Sequence, residues 1–254
     1  MRKTGEALFR PIVPKRNFEG ISEQIKNLIY TKQLAPNDRL PTEKELASQF
    51  GTGKLAVREA LRTLEESGFI YVKKGGKGGV FVKNLDSSRM TQFLSDLIKV
   101  GNIKIQEITE ARVAIETIIL ESSIKDITEK ELIALESNIK QYEKLMNSGE
   151  DVHKMMMEGK IKNFHIILAS KSKNQLFKYF LHSLAELSNT YIREFLPDLT
   201  MSPKHIDYHK TIYEAVKEKN LNRAKKALTD HLYDVSERLD AAVKSNPKEP
   251  QTEE

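Results

Sequence analysis

The sequence predicts a mostly α-helical protein in two parts, an N-terminal winged helix-turn-helix followed by an all-helical antiparallel bundle. Three observations carry this. A capped helix and a second helix are separated by a tight glycine turn near Gly51. Two short β-type runs flank a glycine-rich stretch just after them. Beyond residue 85 no strand signal appears, while helical periodicity runs on to about residue 244.

The elements follow in order. Residues 1–18 are basic, contain Pro11 and Pro14 and show no period, so they read as a mobile arm. From Gly20 a helix begins, with Ile21, Ile25, Leu28 and Ile29 recurring at three and four residues, and it stops near Pro36. Thr42 then serves as N-cap of a second helix, with Glu45 as its capping-box partner. Phe50-Gly51 ends it, and a third helix spans Lys54 to Ser67 with Val57, Ala60, Leu61 and Leu64 facing inward. Phe69–Val72 and Val80–Val82 form a hairpin around a basic, glycine-rich tip, the wing. The winged domain occupies residues 19–84. A linker helix fills 85–100, the bundle 101–244, and a polar tail 245–254 that is expected to be disordered. Within the bundle, helices are expected near 104–125, 128–148, 151–170, 173–195, 203–219 and 222–243.

Composition excludes several classes. The 254 residues suffice for about two domains. No stretch approaches 18 consecutive apolar residues and no apolar signal core opens the chain, so a cytoplasmic protein without a membrane partner is expected. With no Cys, thiolate metal sites, iron–sulfur clusters and Cys nucleophiles are ruled out, and any metal must use His and carboxylates. Gly51-Thr52-Gly53-Lys54 superficially matches a phosphate loop, but Ser48 replaces its first Gly and Leu55 its Ser/Thr.

The net charge of +5 is unevenly spread. Residues 1–84 hold 16 Lys/Arg against 9 Asp/Glu, a balance of +7, which leaves 25 against 27, or −2, for residues 85–254. A basic excess packed around a helix-turn-helix points to double-stranded DNA. The third helix would lie in the major groove, where Lys54, Leu55 and Arg58 near its start reach base edges and Arg58 can grip a guanine with two hydrogen bonds. Lys44 on the second helix, and Lys73, Lys74, Gly75 and Lys77 in the wing, would meet phosphates or the minor groove. The alternative for Arg58 is an ion pair with Glu59 or Glu65.

The bundle carries its own candidates. His165 falls on the stripe Ile161, Phe164, Leu168; His209 on Ile206, Tyr213, Val216; His231 on Ala224, Leu228, Val235, Leu239. Three inward imidazoles are either hydrogen-bonded core residues or ligands of Zn²⁺ or a similar divalent ion with open positions. His205, one turn before His209, could join them, but it follows Pro203 so closely that an exposed first-turn position is expected. Arg112 lies beside the stripe Ile108, Ala111, Ile115, Ile119 and must find an anion, either Glu116 one turn on or a bound carboxylate. Ser188 and Tyr191, on the stripe of Phe177, Leu181 and Leu184, are candidates for the same cavity.

The run Leu34-Ala35-Pro36-Asn37-Asp38-Arg39-Leu40-Pro41-Thr42-Glu43-Lys44-Glu45-Leu46-Ala47, then Val57-Arg58-Glu59-Ala60-Leu61-Arg62-Thr63-Leu64 and the wing end Gly79-Val80-Phe81-Val82, resembles the GntR family of bacterial transcription regulators. Gly53 and Lys54 stand where that family usually shows Ser/Thr and then Arg, so its usual operator sequence does not carry over. Residues 86–240 resemble, more loosely, the FCD ligand-binding domain of the FadR branch, through Arg112 to Glu116, Phe164-His165 with Asn174, Tyr208-His209 and His231. The resemblance implies an organic-acid effector at Arg112. It also implies an Asp four residues before His165 in metal-binding members, a place held here by Ile161, while Glu158 is about 10 Å away along a helix axis.

Together these features predict a homodimeric, effector-responsive DNA-binding regulator, a repressor, that reads a palindromic operator and answers to a small organic acid. Two other readings stand beside it: a metal-dependent enzyme with a three-His site, which leaves the basic wing unexplained, and a sequence-independent architectural DNA-binding protein, which leaves the bundle unexplained.

Overall fold

The computed structural model describes residues 17–76, 78–84, 86–101, 103–148, 155, 159–196 and 202–245. The chain divides into two compact units between Asp86 and Ser87.

The first unit holds α1 (Asn17–Tyr30), α2 (Glu43–Gln49), α3 (Lys54–Glu66), β1 (Ile70–Lys73) and β2 (Gly79–Val82). α1 thus begins three residues before Gly20. Ile21 and Ile25 are buried as their spacing requires, whereas Leu28 is exposed. α1 and α2 both pack on α3, whose inner face of Val57, Ala60, Leu61 and Leu64 closes the core with Leu40, Leu46, Ile70 and Val82. A fully buried Leu or Val contributes about 1.5–3 kcal/mol by leaving water. β1 and β2 pair antiparallel from Ile70 opposite Val82 to Lys73 opposite Gly79. The chain before α2 joins their edge, because Leu40 N–H donates to Val80 O and Asn37 N–H to Val82 O, each at 2.9 Å.

The second unit is helical: α4 (Ser88–Lys99), α5 (Ile105–Ser123), α6 (Glu129–Ser148), α7 (Phe164–Leu168), α8 (Gln175–Phe195), α9 (Pro203–Lys217) and α10 (Leu221–Ser245), with 3₁₀ turns at Ile124–Asp126 and Ala169–Lys171. The helix expected as a linker, α4, packs against α8. α5 lies against α8 and α10, while α9 packs on α6 and α10. The core shared by α5, α6, α7, α9 and α10 includes Leu120, Leu135, Tyr142, Phe164, Leu168, Ile212, Val216, Leu228 and Leu232.

One helix departs from the sequence reading. The stretch expected to be continuous over 151–170 is helical at its described end only from Phe164 to Leu168. Gly159 adopts φ +69°, a left-handed conformation that ends a helix cheaply only at glycine. Asn163 then starts a new one by accepting from the N–H groups of His165 and Ile166. Ile161 therefore lies outside the helix of His165 instead of one turn below it. The expected arm, apart from Asn17 and Phe18 in α1, and all of the expected tail beyond Ser245 lie outside the described residues.

Candidate functional site

The DNA-facing features are set by local chemistry. Thr42 and Glu45 exchange the two hydrogen bonds of a capping box, which fixes where α2 begins. Gly51, at φ +60°, makes the turn towards α3 without a Cβ clash. α3 buries one face and exposes the other, so Lys54, Leu55 and Arg58 reach solvent together, with Leu55 71% exposed. Lys44, Lys73, Lys74 and Gly75 are also exposed. Lys77 lies outside the described residues. In the wing, Arg39 Nη2 donates to Gly78 O at 2.8 Å. A Cβ on Gly78 would run into Lys73 O and stand 2.7 Å from Gly75 O, so this tight turn requires glycine.

Arg58 is paired, and its partner is neither Glu59 nor Glu65. Its Nε and Nη2 donate to Glu43 Oε1 and Oε2 at 3.2 and 2.8 Å. The Arg58 hydrogen bond holds the Glu43 carboxyl below its usual range against the opposing effect of burial, helped by the charges of Arg58 and Lys54. Glu65 instead accepts from the Val72 N–H, tying α3 to the wing strand.

In the second unit three helices bring His165 (α7), His209 (α9) and His231 (α10) together, each no more than 5% exposed. One nitrogen from each lies within 4.8 Å of the others. The rings of His165 and His231 stack at 5.2 Å, and His209 stands edge-on to both, at 5.5 and 4.9 Å. Burial, with the neighbouring imidazoles and Arg112, pushes His209 and His231 well below the usual histidine range, so both are neutral at pH 7. His209 Nε2 and His231 Nδ1 are buried without a hydrogen-bond partner. Orphaned buried nitrogens are costly, and neutral imidazole lone pairs are what a borderline-soft divalent cation requires. The donor set fits such an ion.

Glu116 and Arg112 stand behind this cluster. Glu116 Oε2 lies 2.6 Å from His165 Nδ1, and Arg112 Nε donates to Oε1 at 3.0 Å. Burial raises the Glu116 carboxyl, but the charges of His165 and Arg112 and their hydrogen bonds outweigh it and hold the group ionised. A carboxylate on Nδ1 fixes the imidazole so that Nε2 is left for the cluster. Arg112 thus takes the Glu116 partner its sequence position allowed. Its Nη2 also lies 3.0 Å from Oε1 but out of line for a hydrogen bond, and is buried without one.

Arg112, Ser188 and Tyr191 do meet around one cavity, as their stripes suggested, with Thr109 and Ser236. Its volume is about 10 Å³, room for one water. A much larger groove of about 940 Å³ borders Asn138, Lys162, His182 and Arg193, away from the predicted residues. His205 corrects the sequence expectation, because it is buried, at 7% exposure. Ser202 caps α9 at the His205 N–H, and the Lys204–Asp234 ion pair ties this first turn to α10. Glu116 was legible as an i+4 partner of Arg112, but nothing local marks it as the partner of His165, 49 residues away.

Comparison with known proteins agrees with both units. Residues 17–82 match the family model of bacterial regulatory proteins of the gntR family, and residues 107–234 match the FCD domain. The "Uxu operon regulator" of Haemophilus influenzae is 30% identical over 237 residues, covering 89% of this chain and 83% of that protein. The "HTH-type transcriptional regulator LutR" of Bacillus subtilis is 26% identical, covering 86% and 99%. The "HTH-type transcriptional repressor NanR" of Salmonella newport is 24% identical, covering 94% and 91%. Among solved structures, "Streptococcus agalactiae GntR" superposes with a TM-score of 0.59 at 22% identity, over 87% of this chain and 99% of that one. No helix among the described residues is long and apolar enough to cross a membrane. With one model spanning the winged domain, the other half of the chain, and relatives covered almost end to end, this chain belongs to the GntR family of bacterial transcription regulators, in its FadR-like branch with an FCD domain.

Proposed function

We propose that this regulator is a repressor that binds a palindromic operator as a homodimer and answers to a small organic acid bound in its helical unit. In this reading residues 19–84 form the DNA-binding domain, 85–100 the linker helix and 101–244 the effector domain. Arg58 reads a base edge, Lys54 and Leu55 flank it, and Lys44, Lys73, Lys74, Gly75 and Lys77 follow the backbone. Two recognition helices on adjacent half-sites supply specificity that one short helix cannot.

His165, His209 and His231 would hold a divalent ion, with Arg112 on the effector's far carboxylate and Ser188 and Tyr191 lining its cavity. The observation that carries the metal is the pair of unpartnered buried nitrogens on His209 and His231. A bound ion would supply a Lewis-acid position for a carboxylate oxygen. Since the cavity at Arg112 has room for no more than about one water, the effector has to open it, and so discriminates between two arrangements of the bundle. That difference in affinity is the condition for changing DNA binding.

The test is DNA-binding anisotropy on an operator selected from random DNA by the protein, with and without Zn²⁺ and a panel of small carboxylic acids, alongside elemental analysis of the purified protein. Operator affinity that shifts only when an acid and metal are both present is expected. Metal absent under every condition, with acids still raising thermal stability, would remove the ion and leave the effector site.

A further inference from the structure

We propose that His205 is a fourth nitrogen ligand of this centre, replacing the carboxylate whose place Ile161 holds, so that the site is all-imidazole. The inference rests on the three-His reading above and extends it to a residue that lies outside the group of three.

Geometry argues first. An imidazole bound at about 2.1 Å through one nitrogen has its ring centroid about 3.2 Å from the ion, so two rings sharing an ion stand about 4.5 Å apart at a right angle and about 5.2 Å apart at the tetrahedral angle. His205 lies 4.5 Å from His209 and 4.9 Å from His231. The rings of the other three stand 4.9–5.5 Å from one another. Four of these five ring pairs fall within that span, with His165–His209 slightly wider at 5.5 Å, and His205 contributes two of the four.

Local structure argues second. His205 and His209 are one turn apart on α9, which stacks their side chains on a single face towards α10. Their rings cross at 63°, edge against face. His205 is itself buried, and its ring stands beside His209 and His231, whose Nε2 and Nδ1 are orphaned. Ile161 cannot serve, being an alkyl side chain at 5% exposure.

The consequence is selectivity. Four neutral nitrogens leave both charges of the ion uncompensated by its ligands, which favours Zn²⁺, Ni²⁺, Cu²⁺ and Co²⁺ over the oxygen-seeking Mg²⁺, Ca²⁺ and Mn²⁺, and favours an anionic effector over a neutral one.

The experiment titrates chelator-treated full-length protein with Zn²⁺ against a chromophoric competitor, and with Co²⁺ by visible absorption. It compares wild type, His205→Ala, His205→Leu and His209→Ala, with far-UV circular dichroism confirming each fold. His205→Leu fills the volume that His205→Ala empties, so one folded variant suffices. The expected result is a Zn²⁺ affinity lowered by more than about a hundredfold, beyond what losing an outer hydrogen-bond partner costs. The Co²⁺ bands should shift as water replaces a nitrogen. An unchanged Co²⁺ spectrum with an affinity loss under about tenfold would overturn the role of His205, and if His209→Ala still abolished binding the three-His centre would survive alone. A wild type that binds neither ion would overturn both.

Discussion

Glu43 holds Arg58 with both carboxylate oxygens, 15 residues apart in sequence and on different helices of the reading head. The side chain proposed to read a base is thus engaged before DNA arrives, and the pair must open or be shared when a guanine replaces the carboxylate. Arg58→Ala is expected to weaken operator binding by about five- to 150-fold and relax base preference. Glu43→Gln should act in the opposite direction at low salt, tightening operator and random DNA together and steepening the salt dependence by about one unit, because a negative charge leaves the phosphate-facing surface. Anisotropy at several salt concentrations checks both. Arg58→Ala with unchanged affinity and preference would mean another element reads the bases.

The wing makes a different contribution. Lys74 is exposed beside the tip and has no base edge assigned to it, so Lys74→Ala should weaken operator and random DNA by similar factors and flatten the salt slope by about one. Gly78→Ala should reduce DNA binding further while leaving the helical core folded, since its Cβ would collide with the Lys73 and Gly75 carbonyls. A Gly78→Ala protein with wild-type affinity for random DNA would place the wing off the backbone.

Glu116 is the residue on which two others depend. It is 2% exposed, faces the Arg112 guanidinium on one side and the His165 imidazole on the other, and both of its oxygens are used. Glu116→Gln leaves Arg112 as a buried cation without its counter-charge, a change that costs about 3–5 kcal/mol in comparable settings. It should also lower Zn²⁺ affinity by about ten- to a hundredfold by loosening His165. Urea denaturation and metal titration separate the two effects. The double variant Arg112→Met/Glu116→Leu is expected to regain most of the stability and none of the metal affinity; if metal affinity returned as well, Glu116 would have no part in positioning His165.

What could be read from the sequence was what is local. Thr42 and Glu45 sit three residues apart, so their mutual capping is written in the chain. The stripes that carry His209 and His231 repeat at helical spacing, so their burial follows from the pattern, whereas their convergence with His165 is decided by how the three helices pack. Arg112, Ser188 and Tyr191 lie on or beside inward stripes for the same reason, and helix packing brings them to one cavity. The rest depends on contacts between distant segments. Glu43 and Glu116 were visible as acids, but which cation or imidazole each would meet is decided by how helices cross. His205 sits in a first turn, where a side chain is exposed unless another helix covers it, and α10 does so here. The break before α7 was signalled by Gly159 and by Asn163 as a possible cap, and the apolar stripe running through them masked both.

The neutrality of the centre makes stability depend on pH in a defined window. His209 and His231 have folded-state values well below the ordinary 6.5, with burial as the leading cause. Well above pH 6.5 neither the folded nor the unfolded chain protonates them, and their contribution is constant. Below it the unfolded chain takes up protons that the folded core refuses, so unfolding is favoured and stability falls as pH drops. Each such imidazole gives a slope of at most about 1.4 kcal/mol per pH unit, and the two together at most about 2.7. The fall should run from pH 6.5 towards pH 5, above the range where the lowered carboxylates such as Glu43 and Glu131 begin to titrate. Zn²⁺ at a hundred times its dissociation constant should add about 2.7 kcal/mol at pH 7 and less at pH 5, as protons compete for the same nitrogens. Urea denaturation of the chelator-treated protein at half-unit steps measures the slope, and His209→Leu should remove about half of it. A flat profile between pH 7 and 5, unaltered by His209→Leu, would show that the unfolded chain gains no protons there relative to the folded one, and that the two imidazoles are not held neutral.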